Sequence, residues 1–192
     1  MKRTALAALV GTTFAAIAGS GLAAPETFTI EATHTYPRFE YSHFGYSNQV
    51  QRFNKTSGKL VLDRAAKTGS VDVTIDAKSV DTGYPLFNSH LQGEDFFSTE
   101  KFPTITFKST AVRFEGDKPV AVDGNLSIKG VTRPVTLAVT SFHAMPHPML
   151  KKDAIGANAT TRVKRSEFDM GKYAPYVSDE VTITIAVEAF KE

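Results

Sequence analysis

The chain has 192 residues, 42% hydrophobic and 22% charged, with 22 Lys and Arg against 20 Asp and Glu and neither Cys nor Trp. That is the composition of an ordinary globular domain, without the basic excess that a nucleic-acid binder needs to displace counterions from phosphates. The lack of Cys excludes disulfides, thiol catalysis, iron–sulfur clusters and thiolate zinc sites.

Met1-Lys2-Arg3 is a short basic start, Ala5 to Ala18 an Ala-rich apolar run broken only at Gly11, Thr12 and Thr13, and Gly21-Leu22-Ala23 a site with small residues where a signal peptidase reads. This is the pattern of a cleavable export signal, and the run is shorter than the ~20 apolar residues that span a bilayer. Removing residues 1–23 leaves a domain of residues 24–192 that begins Ala24-Pro25-Glu26 and carries twenty basic and twenty acidic side chains. No later stretch is apolar enough to span a membrane as a helix, so a soluble exported protein is expected.

Most of the remaining sequence alternates with a period of two, the mark of half-buried antiparallel strands. Residues 36–44 put Phe39, Tyr41 and His43 on one face and Arg38, Glu40 and Ser42 on the other; residues 71–76 set Val71, Val73 and Ile75 against Asp72, Thr74 and Asp76. The same pattern pairs Ile105 with Phe107, Leu126 with Ile128, and Val135 with Leu137 and Val139; it recurs over 155–163 and 181–189. Thr68-Gly69, Glu115-Gly116-Asp117, Asp123-Gly124 and Lys129-Gly130 read as turns. Residues 85–97 break the pattern: Pro85 suits a helix start, and Leu86, His90 and Leu91 have helical spacing, with Gly93 limiting the helix to a turn or two.

These elements predict one all-β domain of roughly eight antiparallel strands with a short helical insertion. Closure into a barrel removes its sheet edges. An eight-stranded barrel is either filled by its own side chains or holds one small ligand. Alternation does not choose between these, and the many Phe and Tyr residues serve either; on composition alone, packing is the commoner role.

Two clusters have chemical potential. His143, Met145, His147 and Met149 would share one face of an extended strand and suit Cu(I), giving an alternative reading as a copper-binding or redox-associated protein. Pro146 and Pro148 instead favour a polyproline-like surface loop that spreads them apart. His90 with Glu94 and Asp95 has the spacing of an acid/base or metal group, against the commoner role of a hydrogen-bonded structural His. No nucleophile elbow, phosphate loop or dinucleotide fingerprint occurs.

Several segments together resemble the YceI-like family of bacterial exported proteins: His90-Leu91 through Asp95-Phe96-Phe97 and on to Phe102-Pro103-Thr104-Ile105-Thr106-Phe107; Gly124-Asn125-Leu126 through Gly130-Val131-Thr132-Arg133-Pro134; and Arg165-Ser166-Glu167-Phe168 with the strand after it. His34, Phe39 and His43-Phe44-Gly45 fit as well. Two positions depart from the family pattern: Asn88 stands where an Asp is common, and Arg52 where a Gly commonly precedes the Phe of the second strand. The resemblance implies a lipocalin-like barrel, periplasmic in location, that binds a long isoprenoid or similar amphiphile lengthwise, without catalysis or cofactor, with dimers suggested. The residues expected around that ligand are Phe39, Tyr41, His43, Phe53, Phe87, His90, Leu91, Phe96, Phe107, Leu126, Ile128, Phe168 and Tyr173, with His43, His90 or Tyr173 meeting a polar head at the mouth.

Overall fold

The computed structural model describes residues 24–192, so the expected export signal lies outside the described residues. The strands are β1 (Glu26–Ile30), β2 (Tyr36–His43), β3 (Ser47–Phe53), β4 (Thr56–Asp63), β5 (Thr68–Asp76) and β6 (Val80–Asp81). The helix α1 (Pro85–Gln92) follows, then β7 (Thr104–Glu115), β8 (Lys118–Ile128), β9 (Val131–Pro146), β10 (Asp153–Lys164) and β11 (Glu180–Lys191). Eight of them, in the order β1-β4-β5-β7-β8-β9-β10-β11, close into an antiparallel barrel through a β1–β11 pairing. The expected fold class is therefore the observed one.

β11 makes closure possible by serving two partners. Its C-terminal residues Ala189–Lys191 pair with β1, and Thr182–Ala186 pair with β2. The chain passes between them at residues 31–35. There buried Thr35 accepts from the Glu188 amide through its hydroxyl and donates to the Glu188 carbonyl. Glu31 accepts from the amide and hydroxyl of Thr33 through one carboxylate oxygen, and its other oxygen lies 2.8 Å from His34 Nδ1. β2 and β3 then form a flap beside the barrel, joined to β6 and so to α1.

α1 begins with Pro85 in its first turn, where a missing N–H costs nothing. Its inward face is Phe87, His90 and Leu91; Leu86, grouped with them by spacing, faces solvent. Asn88 ties the helix down neutrally, accepting from the backbone amide and hydroxyl of Thr82 at 2.8 and 2.7 Å.

Asp123-Gly124, expected as a turn, lies inside β8. Gly124 is there because the Phe107 ring and the Lys108 carbonyl come within 2.4 and 2.7 Å of where a Cβ would stand. The neighbouring strand carries a bulge between Ser109 and Ala111, beside Gly124 in the register. The Lys129-Gly130 turn forms as expected: both residues have positive φ, as a two-residue hairpin requires.

Candidate functional site

One end of the barrel is sealed. Phe28, Leu62, Ile155 and Ala189 are buried there and pack with Leu60, Phe114, Phe142 and Ala144. The other end is covered by α1, the segment after it, and the β10–β11 connection. Phe39, Phe53 and Phe97 form a triangle of rings 5.3–5.8 Å apart against the flap.

Between these plugs lies a cavity of about 430 Å³, with a wall almost wholly of carbon. That is within the size range of small-molecule sites. Inward residues at mid-barrel, among them Val71, Val73, Leu137, Val139, Ala157 and Ile185, line the cavity and are only half-buried despite pointing away from solvent. A packed core would bury them fully, as it does Phe28 and Phe168. The barrel is thus hollow rather than side-chain-filled.

Every residue expected around a ligand contributes to this wall. Phe39, Tyr41 and His43 come from β2, Phe53 from β3, Phe107 from β7, and Leu126 and Ile128 from β8. Phe87, His90 and Leu91 come from α1, Phe96 from the following turn, and Phe168 and Tyr173 from the β10–β11 connection. Five residues both line the cavity and remain exposed, Arg38, His43, Phe44, His90 and Tyr173, and the four rings among them mark its opening. Phe87, His90, Phe96 and Tyr173 follow one another as rings 5.0–6.2 Å apart along this mouth.

Sequence reasoning passed over the polar part of the wall. Arg165 is buried in it, and its Nε donates to the Ser178 carbonyl at 2.9 Å. Nη1 donates to Met170 and, at 2.7 Å, to Lys172; Nη2 donates to Val177 at 2.7 Å. Burial pushes the guanidinium below its ordinary value, while the charge of Asp179 pulls it back. This cation therefore holds the carbonyls of the loop that carries Tyr173, whose φ of 69° is left-handed. Tyr41 also faces the cavity, and burial raises its phenol, leaving a neutral hydroxyl near Gln51 and Arg165. The Arg-Ser-Glu-Phe segment had signalled the position, but nothing local in it distinguishes an inward arginine from an outward one.

The His/Met segment is not a polyproline loop throughout. β9 runs as a strand to Pro146, its final residue, whose register partner is Asp153 of β10. His143 and Met145 are exposed on β9, whereas His147 lies in the turn and accepts the Met149 and Leu150 amides through Nδ1. The four side chains do not share a strand face. His90 packs against aromatic rings and Asp95 pairs with Lys172; among the described residues no hydrogen bond joins His90 to Glu94 or Asp95.

A YceI-like domain profile matches residues 28–189. The chain belongs to the YceI-like family. Protein YceI of Escherichia coli O157:H7 is 34% identical over 96% of this chain and 97% of that protein. BcnA of Burkholderia cenocepacia superimposes with a TM-score of 0.71 at 26% identity, covering 83% of this chain and 98% of that one. A polyisoprenoid-binding domain from Saccharophagus degradans shares the fold at a TM-score of 0.65 and 17% identity, over 86% and 98% of the two chains. The hollow interior is thus housed in a YceI-like barrel.

Proposed function

We propose that the protein is an exported, non-catalytic binding protein that holds a long isoprenoid or similar amphiphile inside its barrel, for carriage or storage in the periplasm. The observation that carries this is the closed-ended apolar cavity with its aromatic mouth. Each methylene moved from water to such a wall gains about 0.8 kcal/mol, before the costs of ordering the ligand. Contact of this kind discriminates length and width rather than chemical detail. The tail lies toward the sealed end, and a polar head stays near His43, His90 and Tyr173. The fold shared with a polyisoprenoid-binding domain supports the choice of ligand class. Among the described residues no helix is long and apolar enough to cross a membrane.

The test is a solvent extract of the natively purified protein, read by mass spectrometry, together with binding of a fluorescent isoprenoid-like probe after delipidation. A stoichiometric lipid and saturable binding are expected. A delipidated, folded protein that takes up no probe overturns the reading.

A further inference from the structure

We propose that the open end of the barrel docks on the surface of a lipid bilayer through an uncharged aromatic rim, so that chains pass directly between bilayer and cavity. This rests on the reading of the cavity as a hydrocarbon site.

The rim is built from separate segments brought to one end. Around the β2–β3 turn, Phe44 is 52% and Tyr46 90% exposed; in the β10–β11 loop, Tyr173 is 45% and Tyr176 69% exposed. The two segments form one surface: the Phe44 amide donates to the Tyr176 carbonyl at 2.7 Å, their rings stack 6.1 Å apart, and His43 bridges to Val177. The helix that supplies His90 to the mouth also exposes Tyr84 at its cap and Leu86 in its first turn.

The rim segments themselves carry no charge, with exposed Glu94 and the Lys172–Asp95 pair flanking them. Residues 41–51, 82–93 and 173–178 contain no Asp, Glu, Lys or Arg, in a chain that is 22% charged. Lys172, next to Tyr173, is paired with Asp95. Ordinary solvated turns carry charges, whereas a face pressed into a headgroup region avoids them because desolvating an ion is costly. Tyrosine, with an apolar ring and a polar tip, suits the headgroup level of a membrane. With no basic cluster in these segments, the rim requires no anionic lipid. A second copy seated on the same face would instead cover the opening at His43, Phe44, His90 and Tyr173 and shut the ligand in or out. The bilayer is the occupant that leaves the cavity accessible.

The experiment compares wild type with a Tyr46→Ser, Tyr176→Ser double variant, both changes lying outside the cavity wall. Sedimentation with phosphatidylcholine vesicles, with and without phosphatidylglycerol, reads docking. Transfer of a fluorescent isoprenoid alcohol out of those vesicles reads loading, and the same probe added from ethanol reads the cavity alone. Wild type should bind both vesicle types equally. The variant should lose about tenfold in vesicle binding and transfer, as two rings no longer leave water, with unchanged melting and unchanged uptake of free probe. The proposal is overturned if the variant docks like wild type, if docking needs phosphatidylglycerol and vanishes with salt, or if the substitutions change only the oligomeric state. Failure to take free probe overturns the cavity reading, whereas normal uptake without vesicle binding overturns the rim alone.

Discussion

Filling the cavity should raise stability and lower affinity together, and Ala159→Phe is the change that shows it. Ala159 lines the cavity on β10, between Val139 and Ile185 on the flanking strands. An added phenyl takes up about 150 Å³, the size of a cavity that accepts benzene, or about a third of the 430 Å³ available. Filling void of that volume is worth up to about 3 kcal/mol. Fixing the ring's rotamer and adjusting its neighbours takes back about half of this. The empty protein should therefore melt about 3–6 °C higher. For a ligand long enough to fill the barrel, the ring displaces about five methylene-sized segments, taking a methylene as roughly the ~30 Å³ of a water. At about 0.8 kcal/mol each, the loss is ~4 kcal/mol, or roughly a thousandfold in affinity. A chain of half the length should bind nearly as before. Thermal melts of delipidated protein and titrations with a short and a long probe measure both effects. The outward-facing Thr184→Gln serves as the control. Should the melting temperature fall, as overpacking a filled core would make it, while the long probe binds normally, the cavity is not the binding site.

Tyr41→Arg should leave the protein folded but empty, since a long cation in the apolar wall costs several kcal/mol against any tail beside it; a normal probe titration would contradict this. Arg165→Met should strand the carbonyls of Met170, Lys172, Val177 and Ser178 and cost about 3 kcal/mol or more, with faster amide exchange in residues 170–178 read by mass spectrometry. Glu31 is pulled down from 4.5 to about 2: burial opposes ionisation, and the bonds from Thr33 and His34 overcome it. A carboxyl depressed in the folded state supports the fold above its unfolded value and loses that support as pH falls through the folded one. Glu31→Gln should accordingly flatten the acid side of the stability profile between pH 4.5 and about 2, measured by denaturant melts. Titration with Cu(I) should show weak binding or none, insensitive to a His147→Ala, Met149→Ala double change, because His147 is occupied by the turn.

The strands that sequence reading identified are those whose hydrophobicity matches their facing; those it passed over invert or blur it. In β3, Gln51 is buried and Val50 is 56% exposed, the reverse of what polarity predicts. β4 strings Leu60, Val61 and Leu62 together after Gly58, which looks like a breaker. The glycine instead admits the Asp72 carbonyl, 2.2 Å from where its Cβ would be. β1 is only five residues long and gains its place from its pairings with β4 and β11. Arg165 was unreadable for a related reason: charge predicts exposure, and the carbonyls that make its burial tolerable come from residues 170–178, which only the fold turns back upon it.

The choice between hollow and filled barrel shows most clearly where pattern stops. Alternation fixes which residues point inward, and it is the same in either case. Size along the barrel decides the matter. The inward rings gather toward the ends, with Phe28, Phe114 and Phe142 at the seal and Phe39, Phe53, Phe96 and Phe97 at the covered side. The middle is left mainly to aliphatic side chains, Val71, Val73, Leu137, Val139, Ala157, Ala159 and Ile185, with Phe107 a ring among them. Side chains that small cannot meet across an eight-stranded barrel, so the space between them stays open. The aromatic content that suggested a core is mostly plug and mouth, and the alanines of β10, unremarkable in a list of strand residues, mark the space itself.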